Sequence, residues 1–411
     1  MLAVAALTLR FTDSFWVLAD KTDVNHDVKD SGYAVPMTWE SWIALIALIA
    51  AAAALFIAIW LRGQIFVLRR QLKSLQSHSL EADHHPGDGP ICVVYNPSKD
   101  ADFDEMKRVV GESAADAGRG DPIWLPTTVE DPGVGQVRQA IELGASLVIA
   151  AGGDGTVRLV AGELAGTGIP MGLLPIGTGN LLARNLGLPL DSIGNLASIA
   201  VTGRSRRVDV GWLRAESPGD DGLEAIRALD PEGSAFEGRV PFVVIAGLGF
   251  DAQVMNGADD DLKRVLGWSA YVVSGVKHLK EKRLTATVTT GSHEIPIEAR
   301  SIMFANCGGL PGGLMLAPDA RIDDGWLDIA VMDTKGGILG WGDLVRRIGL
   351  ATFGVQDKML PEAGSIDFRR TQSARVDVQE PELVQADGDP LGWATSVTAS
   401  IEKGALLVRV G

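Results

Sequence analysis

Two short runs constrain this chain more than any others. Ala151-Gly152-Gly153-Asp154-Gly155-Thr156 closes an apolar stretch, Ser146–Ala150, and Pro175-Ile176-Gly177-Thr178-Gly179-Asn180 closes another, Met171–Leu174. The first run sets three glycines, one carboxylate and one hydroxyl in six residues, and from Val157 the pattern is helical. Glycines let backbone amides turn toward a phosphate at close range. An aspartate in such a turn can hold a magnesium ion or its waters. Two glycine-rich strand-to-helix turns so near each other read as two walls of one nucleoside triphosphate site. Neither is a Walker loop, because no Gly-Lys-Ser/Thr follows, and neither is a GxGxxG dinucleotide fingerprint.

Apolar and helical segments alternate around these turns. Ile91–Tyr95 reads as a strand, Phe103–Ala117 as a helix, Pro122–Leu125 as a strand and Val134–Gly144 as a helix. Such alternation implies a parallel sheet covered by helices, with ligands at the carboxyl ends of the strands, where both glycine turns fall. From about Arg207 the character changes. Arg239–Ile245, Leu284–Thr289, Ser301–Ala305 and Trp326–Val331 are rich in β-branched residues and separated by turns, which predicts a β-rich, sandwich-like second domain. Glu216–Gly238, acidic and containing Gly and Pro, reads as a mobile hairpin insertion.

Ser41–Leu61 contains no charged residue and carries Trp42 and Trp60 near its ends. A helix of that length reaches across a hydrocarbon core of about 30 Å. Arg62, Arg69, Arg70 and Lys73 follow it, whereas Asp23, Asp27, Asp30 and Glu40 precede it. The positive-inside rule then predicts a single-pass cell-membrane protein whose catalytic part is cytoplasmic, facing the inner leaflet. The predicted divisions are an extracytoplasmic tail at 1–40, a transmembrane helix at 41–61, a juxtamembrane helix and linker at 62–90, a nucleotide-binding domain at 91–206 and a β-rich domain at 207–411. Ile65, Leu68, Leu72 and Leu75 recur at helical spacing, a stripe that would let the juxtamembrane helix pair with its own copy in a homodimer. A net charge of -15 argues against nucleic acid as a partner. Cys92 and Cys307 lie in apolar contexts and read as buried thiols rather than a disulfide.

The runs Gly152–Thr156 and Gly177–Asn180, with Leu182-Ala183-Arg184, resemble the diacylglycerol kinase catalytic family, which includes bacterial lipid kinases and the sphingosine and ceramide kinases. The resemblance extends from about Ile91 to the C-terminus. Gly-Gly-Asp-Gly-Thr alone is shared with NAD kinases and phosphofructokinases; the ordered set of motifs is specific. The resemblance implies an α/β nucleotide domain of NAD-kinase/phosphofructokinase type, then the β-rich domain, and the use of ATP and Mg2+. Asn96-Pro97-Ser98 is similar to the family's first nucleotide loop, Asn-Pro-x-Ser-Gly, with Lys99 and Asp100 replacing its ending. Thr128, or its neighbour Thr127, matches a threonine that contacts nucleotide.

Three further motifs carry implied roles. Gln385-Ala386-Asp387-Gly388-Asp389-Pro390 resembles the family's Asp-Gly-Glu motif; the proton acceptor falls on Asp389, a shorter side chain than the family's Glu, with Asp387 supporting. Ala320–Trp326, preceded by Gly312–Pro318, resembles a loop that holds a structural magnesium ion in bacterial members. Carry-over makes Asp324 the carboxylate ligand and supplies carbonyls from Arg321 and Trp326. Arg207–Gly211 and Gly247–Asp251 also fit, and Asp209 is expected to join Asp154 around a metal. Many bacterial members have Asp where this chain has Leu181; sphingosine- and ceramide-type members lack it too.

The reading is a lipid kinase that moves the ATP γ-phosphoryl group to a membrane lipid hydroxyl, with diacylglycerol as acceptor and phosphatidic acid as product. Alternatives are a sphingoid- or ceramide-type kinase, a soluble-substrate kinase of NAD-kinase type, and a membrane-tethered nucleotide sensor without catalysis. Lys277–Arg283, after Trp268 and Tyr271, is either a contact for anionic headgroups or a solvated helix end.

Overall fold

The computed structural model describes residues 87–249, 283–309, 316–317, 319–334 and 364–411. Four parallel strands form the nucleotide half: β1 (Ile91–Tyr95), β2 (Ile123–Pro126), β3 (Leu147–Gly152) and β4 (Met171–Pro175). They lie in the order β2-β1-β3-β4, with Val93 beside Ile149 and Ile149 beside Gly172. Residues Leu147–Gly152 are all buried, as expected of a central parallel strand covered on both faces. The helices are α1 (Phe103–Asp116), α2 (Val134–Glu142), α3 (Asp154–Leu164), α4 (Leu181–Asn185) and α5 (Ile193–Thr202). Asp102 caps α1 through the Glu105 amide at 2.9 Å, and Ser192 caps α5 through the Asn195 amide at 3.3 Å. α1 packs on α5, and α2 on α3.

The second half comprises β5 (Arg204–Ala215), α6 (Gly219–Leu229), β6 (Gly238–Phe242), β7 (Ile245–Gly249), β8 (Leu284–Thr290), β9 (His293–Ala299), β10 (Ser301–Ala305), β11 (Leu327–Thr334), β12 (Gly364–Thr371), β13 (Ser373–Ala386) and β14 (Asp389–Val410). One hydrogen-bonded path runs β2-β1-β3-β4-β14-β13-β7-β10-β11-β12. β14 is the seam. It pairs antiparallel with β13 and β5, then reaches β4, where Val408 lies beside Met171 in parallel. Leu406 and Val408 therefore share one core with the β1 and β3 side chains. A second core, around Phe242, Phe304, Leu327 and Val376, fills the β-rich half.

Several sequence expectations change. Glu216–Gly238 is not a bare hairpin: it contains α6, whose Ile226 is buried. Arg239–Ile245 is not one strand, because the chain bends at Val243 and Val244, where backbone amides turn onto the Asp387 carboxylate. The single-pass membrane placement is corrected: among the described residues no helix is long and apolar enough to cross a membrane. The segments 1–40, 41–61 and 62–86, on which that placement and the self-pairing helix rested, lie outside the described residues, as do 250–251, 277–282 and 312–315. Arg283, the last residue of the basic run, bonds Glu298 at 3.0 Å. Cys92 and Cys307 are buried and unpaired by any disulfide.

Candidate active site

The site is assembled at the carboxyl ends of β1 to β4. Three backbone bonds bind the loops there to neighbouring strands: Asn96 N to Ala151 O at 3.0 Å, Thr127 N to Tyr95 O at 2.8 Å and Ile176 N to Gly152 O at 3.0 Å. The two glycine turns touch. A methyl group on Gly177 would lie 3.0 Å from Gly153 Cα, and one on Gly152 would lie 2.6 Å from Thr156 Cβ. A side chain at Gly152 would force Thr156 to shift, and one at Gly177 would press on the Gly153 backbone, independently of backbone freedom.

Asp154 fastens the turns together. Its Oδ2 accepts the Asn180 amide at 2.9 Å and its Oδ1 accepts the Leu181 amide at 2.6 Å. Asn180 adopts a left-handed conformation, φ 49°, and its Oδ1 accepts the Gly177 amide at 3.0 Å. Burial, opposed by the two amide bonds and reinforced by the negative charges of Asp387 and Asp389, pushes the Asp154 carboxyl up to about 6. The unfolded value is 3.8, so the folded chain retains a proton that the unfolded chain has lost between those two pH values. Ionisation there opposes folding. Stability is expected to fall as pH rises from about 4 to about 6, on the order of 3 kcal/mol from this group, and to be insensitive to it above that range. Urea unfolding midpoints of Asp154→Asn and wild type across that window test this: the variant loses that part of the slope.

Asp154 begins α3, and the cap position, Gly153, offers no side-chain bond. The first helical bond runs from Val157 N to Gly153 O, leaving the preceding amides of the first turn without helical partners. A helix start of this kind attracts anions. Lys99 leans over it: a methyl group on Gly153 would lie 3.8 Å from Lys99 Nζ. Asn96 and Ser98 form a side-chain turn, Asn96 Oδ1 accepting Ser98 N at 3.0 Å and Ser98 Oγ at 2.7 Å. Pro97 and Thr128 are exposed beside it, and Thr128 Oγ1 accepts the Asp131 amide at 3.0 Å.

The hairpin between β13 and β14 brings the C-terminal carboxylates to the same place. Asp387 and Gly388, at φ 47° and 92°, form the two-residue turn that Asp-Gly favours. Asp387 points inward. It is 3% exposed, and its oxygens accept the amides of Val243 at 2.8 Å, Val244 at 2.8 Å and Ile245 at 2.9 Å. Burial raises its carboxyl despite those bonds. Asp389 points outward over α3; a methyl group on Gly155 would lie 2.5 Å from its Oδ2. That oxygen accepts Arg158 Nη2 at 3.0 Å, and Arg158 is itself 6% exposed, with no partner for Nε among the described residues.

Asp209 is not with Asp154. Its carboxylate sits under the Arg321–Trp326 loop and accepts the amides of Gly325 at 2.6 Å and Gly404 at 2.7 Å, while its own amide bonds Ile322 O at 2.7 Å. Burial raises its carboxyl, opposed by those two bonds. The residues expected to hold a structural magnesium ion, Asp324 with the carbonyls of Arg321 and Trp326, lie in this loop. Asp324 Oδ1 accepts Trp326 N at 3.0 Å and Oδ2 accepts Arg370 Nη2 at 2.8 Å. Among the described residues no three His, Cys, Asp or Glu side chains gather to hold a metal ion, and the set expected here, one carboxylate with two backbone carbonyls, is of a different kind.

Sequence reasoning passed over Arg158 as a partner of the hairpin carboxylate and treated Lys99 only as a departure from a motif. A cation one turn into the helix that follows Gly152–Thr156 was the available signal for Arg158. Nothing local announces that Asp389 reaches it.

Comparison with known proteins places both halves of the chain in one family. Residues 90–213 match the diacylglycerol kinase catalytic domain, and residues 243–410 match the YegS C-terminal NAD kinase beta sandwich-like domain. A protein of Pseudomonas aeruginosa named "Probable lipid kinase YegS-like" is 28% identical over 323 residues, covering 76% of this chain and 91% of that protein. The diacylglycerol kinase of Mycobacterium tuberculosis is 31% identical over 194 residues, which is 47% of this chain and 56% of that protein. The crystal structure of a diacylglycerol kinase from Bacillus anthracis str. Sterne superposes with a TM-score of 0.58 at 22% identity, covering 79% of this chain and 97% of that one, and shares the fold.

Proposed function

We propose that this chain, a lipid kinase of the diacylglycerol kinase catalytic family, takes its phosphoryl group from ATP and passes it to diacylglycerol, giving phosphatidic acid. One observation carries the reading: the uncapped start of α3, pinned by Asp154 to the second glycine turn, lies directly beneath the outward carboxylate of Asp389. That juxtaposes a phosphate cradle and a proton acceptor.

MgATP enters as a substrate, its ion travelling with the phosphates. The first-turn amides of α3 and the Lys99 ammonium take up phosphate charge, with Asn96, Pro97, Ser98 and Thr128 lining the nucleotide side. The lipid hydroxyl oxygen attacks the γ-phosphorus, its proton passes to Asp389, and the bond from the γ-phosphorus to the β,γ-bridging oxygen breaks to release ADP. Arg158 holds Asp389 Oδ2, which leaves Oδ1 to receive the proton. Asp387 contributes by fixing the hairpin, and the β-rich half supplies the lipid-binding surface.

Purified protein incubated with γ-labelled ATP, magnesium and mixed micelles decides the acceptor. Label in phosphatidic acid is the expected result. Label confined to a ceramide or sphingoid phosphate, or to NADP, would reject diacylglycerol; nucleotide binding with no transfer to any lipid would reject the mechanism. Lys99→Ala is expected to raise KM for ATP about 10-fold with little change in kcat, as loss of one charge-assisted contact does. Steady-state kinetics at varied ATP check it.

A further inference from the structure

Positive charge also gathers at the end of the parallel strands away from the glycine turns. Gly89 lies just before β1, Ser146 just before β3, and Val408 of β14 sits level with Met171, the first residue of β4. The next residue of β14, Arg409, is 7% exposed. Its Nη1 donates to Gly203 O at 2.7 Å, at the C-terminal end of α5, while its Nε is buried without a hydrogen-bond partner. Ser205 lies directly opposite Arg409 in the pairing of β5 with β14, and opposed side chains share one face of a sheet. Ser205 Oγ is also buried without a partner. Arg119, which follows α1, donates through Nη2 to Gly89 O at 2.7 Å and to Ser146 Oγ. Burial lowers the Arg409 guanidinium below its ordinary value, and the Arg119 charge lowers it further. Among the described residues neither arginine is paired with a carboxylate.

We propose that Arg409, Ser205 and Arg119 form a binding site for a small oxyanion of the phosphate class, at the opposite end of the strands from the nucleotide site. Buried polar atoms without partners are few in folded proteins. Two of them on adjacent strands, beside two like charges, are what an anion satisfies: Arg409 Nε and the Ser205 hydroxyl donate to its oxygens, and both guanidiniums offset its charge. The burial of Arg409 suits a free ion rather than a lipid headgroup. An ion there ties the end of β14 to β5 and to the segment after α1, and so favours the folded chain by mass action. The site depends neither on which lipid is phosphorylated nor on the role of Asp389.

Thermal unfolding of the full chain tests this, in sodium phosphate against sodium chloride at equal ionic strength and pH. Phosphate stabilises folded proteins in general by exclusion from their surface, so the difference between wild type and variants is the readout. About 10 mM phosphate is expected to raise the wild-type midpoint by roughly 2–4 °C more than that of Arg409→Met. Ser205→Ala and Arg119→Gln, which leave the Arg409 contact with Gly203 in place, are expected to lose much of the extra rise. Lys99→Ala, altered at the other end of the strands, is expected to keep it. The proposal is overturned if wild type and Arg409→Met respond alike. Should Arg409→Met fail to fold, a wild-type response in both Ser205→Ala and Arg119→Gln overturns it. Loss of the extra rise in Lys99→Ala would put the phosphate at the glycine turns and overturn it too.

Discussion

Asp389→Asn is expected to lower kcat for lipid phosphorylation by about 10²–10⁴-fold while ATP affinity stays within a few-fold of wild type. The amide keeps an oxygen for Arg158 Nη2, which Asp389 Oδ2 accepts at 3.0 Å, so the hairpin retains its tie to α3. What is lost is the group proposed to take the hydroxyl proton. Asp389→Ala should show the same catalytic defect with an added loss of stability, because Arg158 is 6% exposed and, among the described residues, Asp389 is the side chain it bonds. Measuring kcat, KM and nucleotide binding by calorimetry on both variants separates the two effects. A normal kcat in Asp389→Asn would remove Asp389 from the proton-transfer step.

Asp387→Ala is expected to leave little folded protein. Its carboxylate accepts the amides of Val243, Val244 and Ile245 at a site with 3% exposure. Each buried donor stripped of its acceptor costs about 1–3 kcal/mol. Three together approach the whole stability of an ordinary domain, about 5–15 kcal/mol. The left-handed backbone at φ 47° adds strain for alanine that asparagine tolerates. Asp387→Asn should therefore fold with a clearly lower urea midpoint, since its NH2 group opposes one of the amides. If Asp387 were the proton acceptor, Asp387→Asn would instead keep its midpoint and lose kcat. A wild-type midpoint in Asp387→Ala would sink the structural assignment.

These two aspartates show what a linear reading can and cannot reach. The Asp-Gly turn was legible because its backbone demands are local: two residues at positive φ between strands. The same holds for the glycine runs after β3 and β4, whose apolar strands and helical continuations are written in adjacent residues. Which carboxylate faces inward was not legible, because it depends on three amides far back in the sequence at Val243, Val244 and Ile245. Asp209 went astray for the same reason; its partners, Gly325 and Gly404, are distant glycines with no side chain to advertise them. Helix α6 was hidden by the acidic and glycine-rich residues around it, although Leu223, Ile226 and Leu229 are spaced three apart. β14 contains Gly392 and Gly404, both at positive φ, residues that would punctuate a turn elsewhere, yet its pairing passes both.

The placement of β14 has a consequence for synthesis. Both phosphate-cradling bends belong to segments made early, whereas Asp389 and the strand that seals the flank of β4 follow β1 to β13 in the chain. With Asp389 as the proposed proton acceptor, a nascent polypeptide on the ribosome would hold the glycine turns long before it held that carboxylate. Competence to spend ATP would then arrive only when this late strand is laid against the early sheet, and a half-made molecule would be silent by construction.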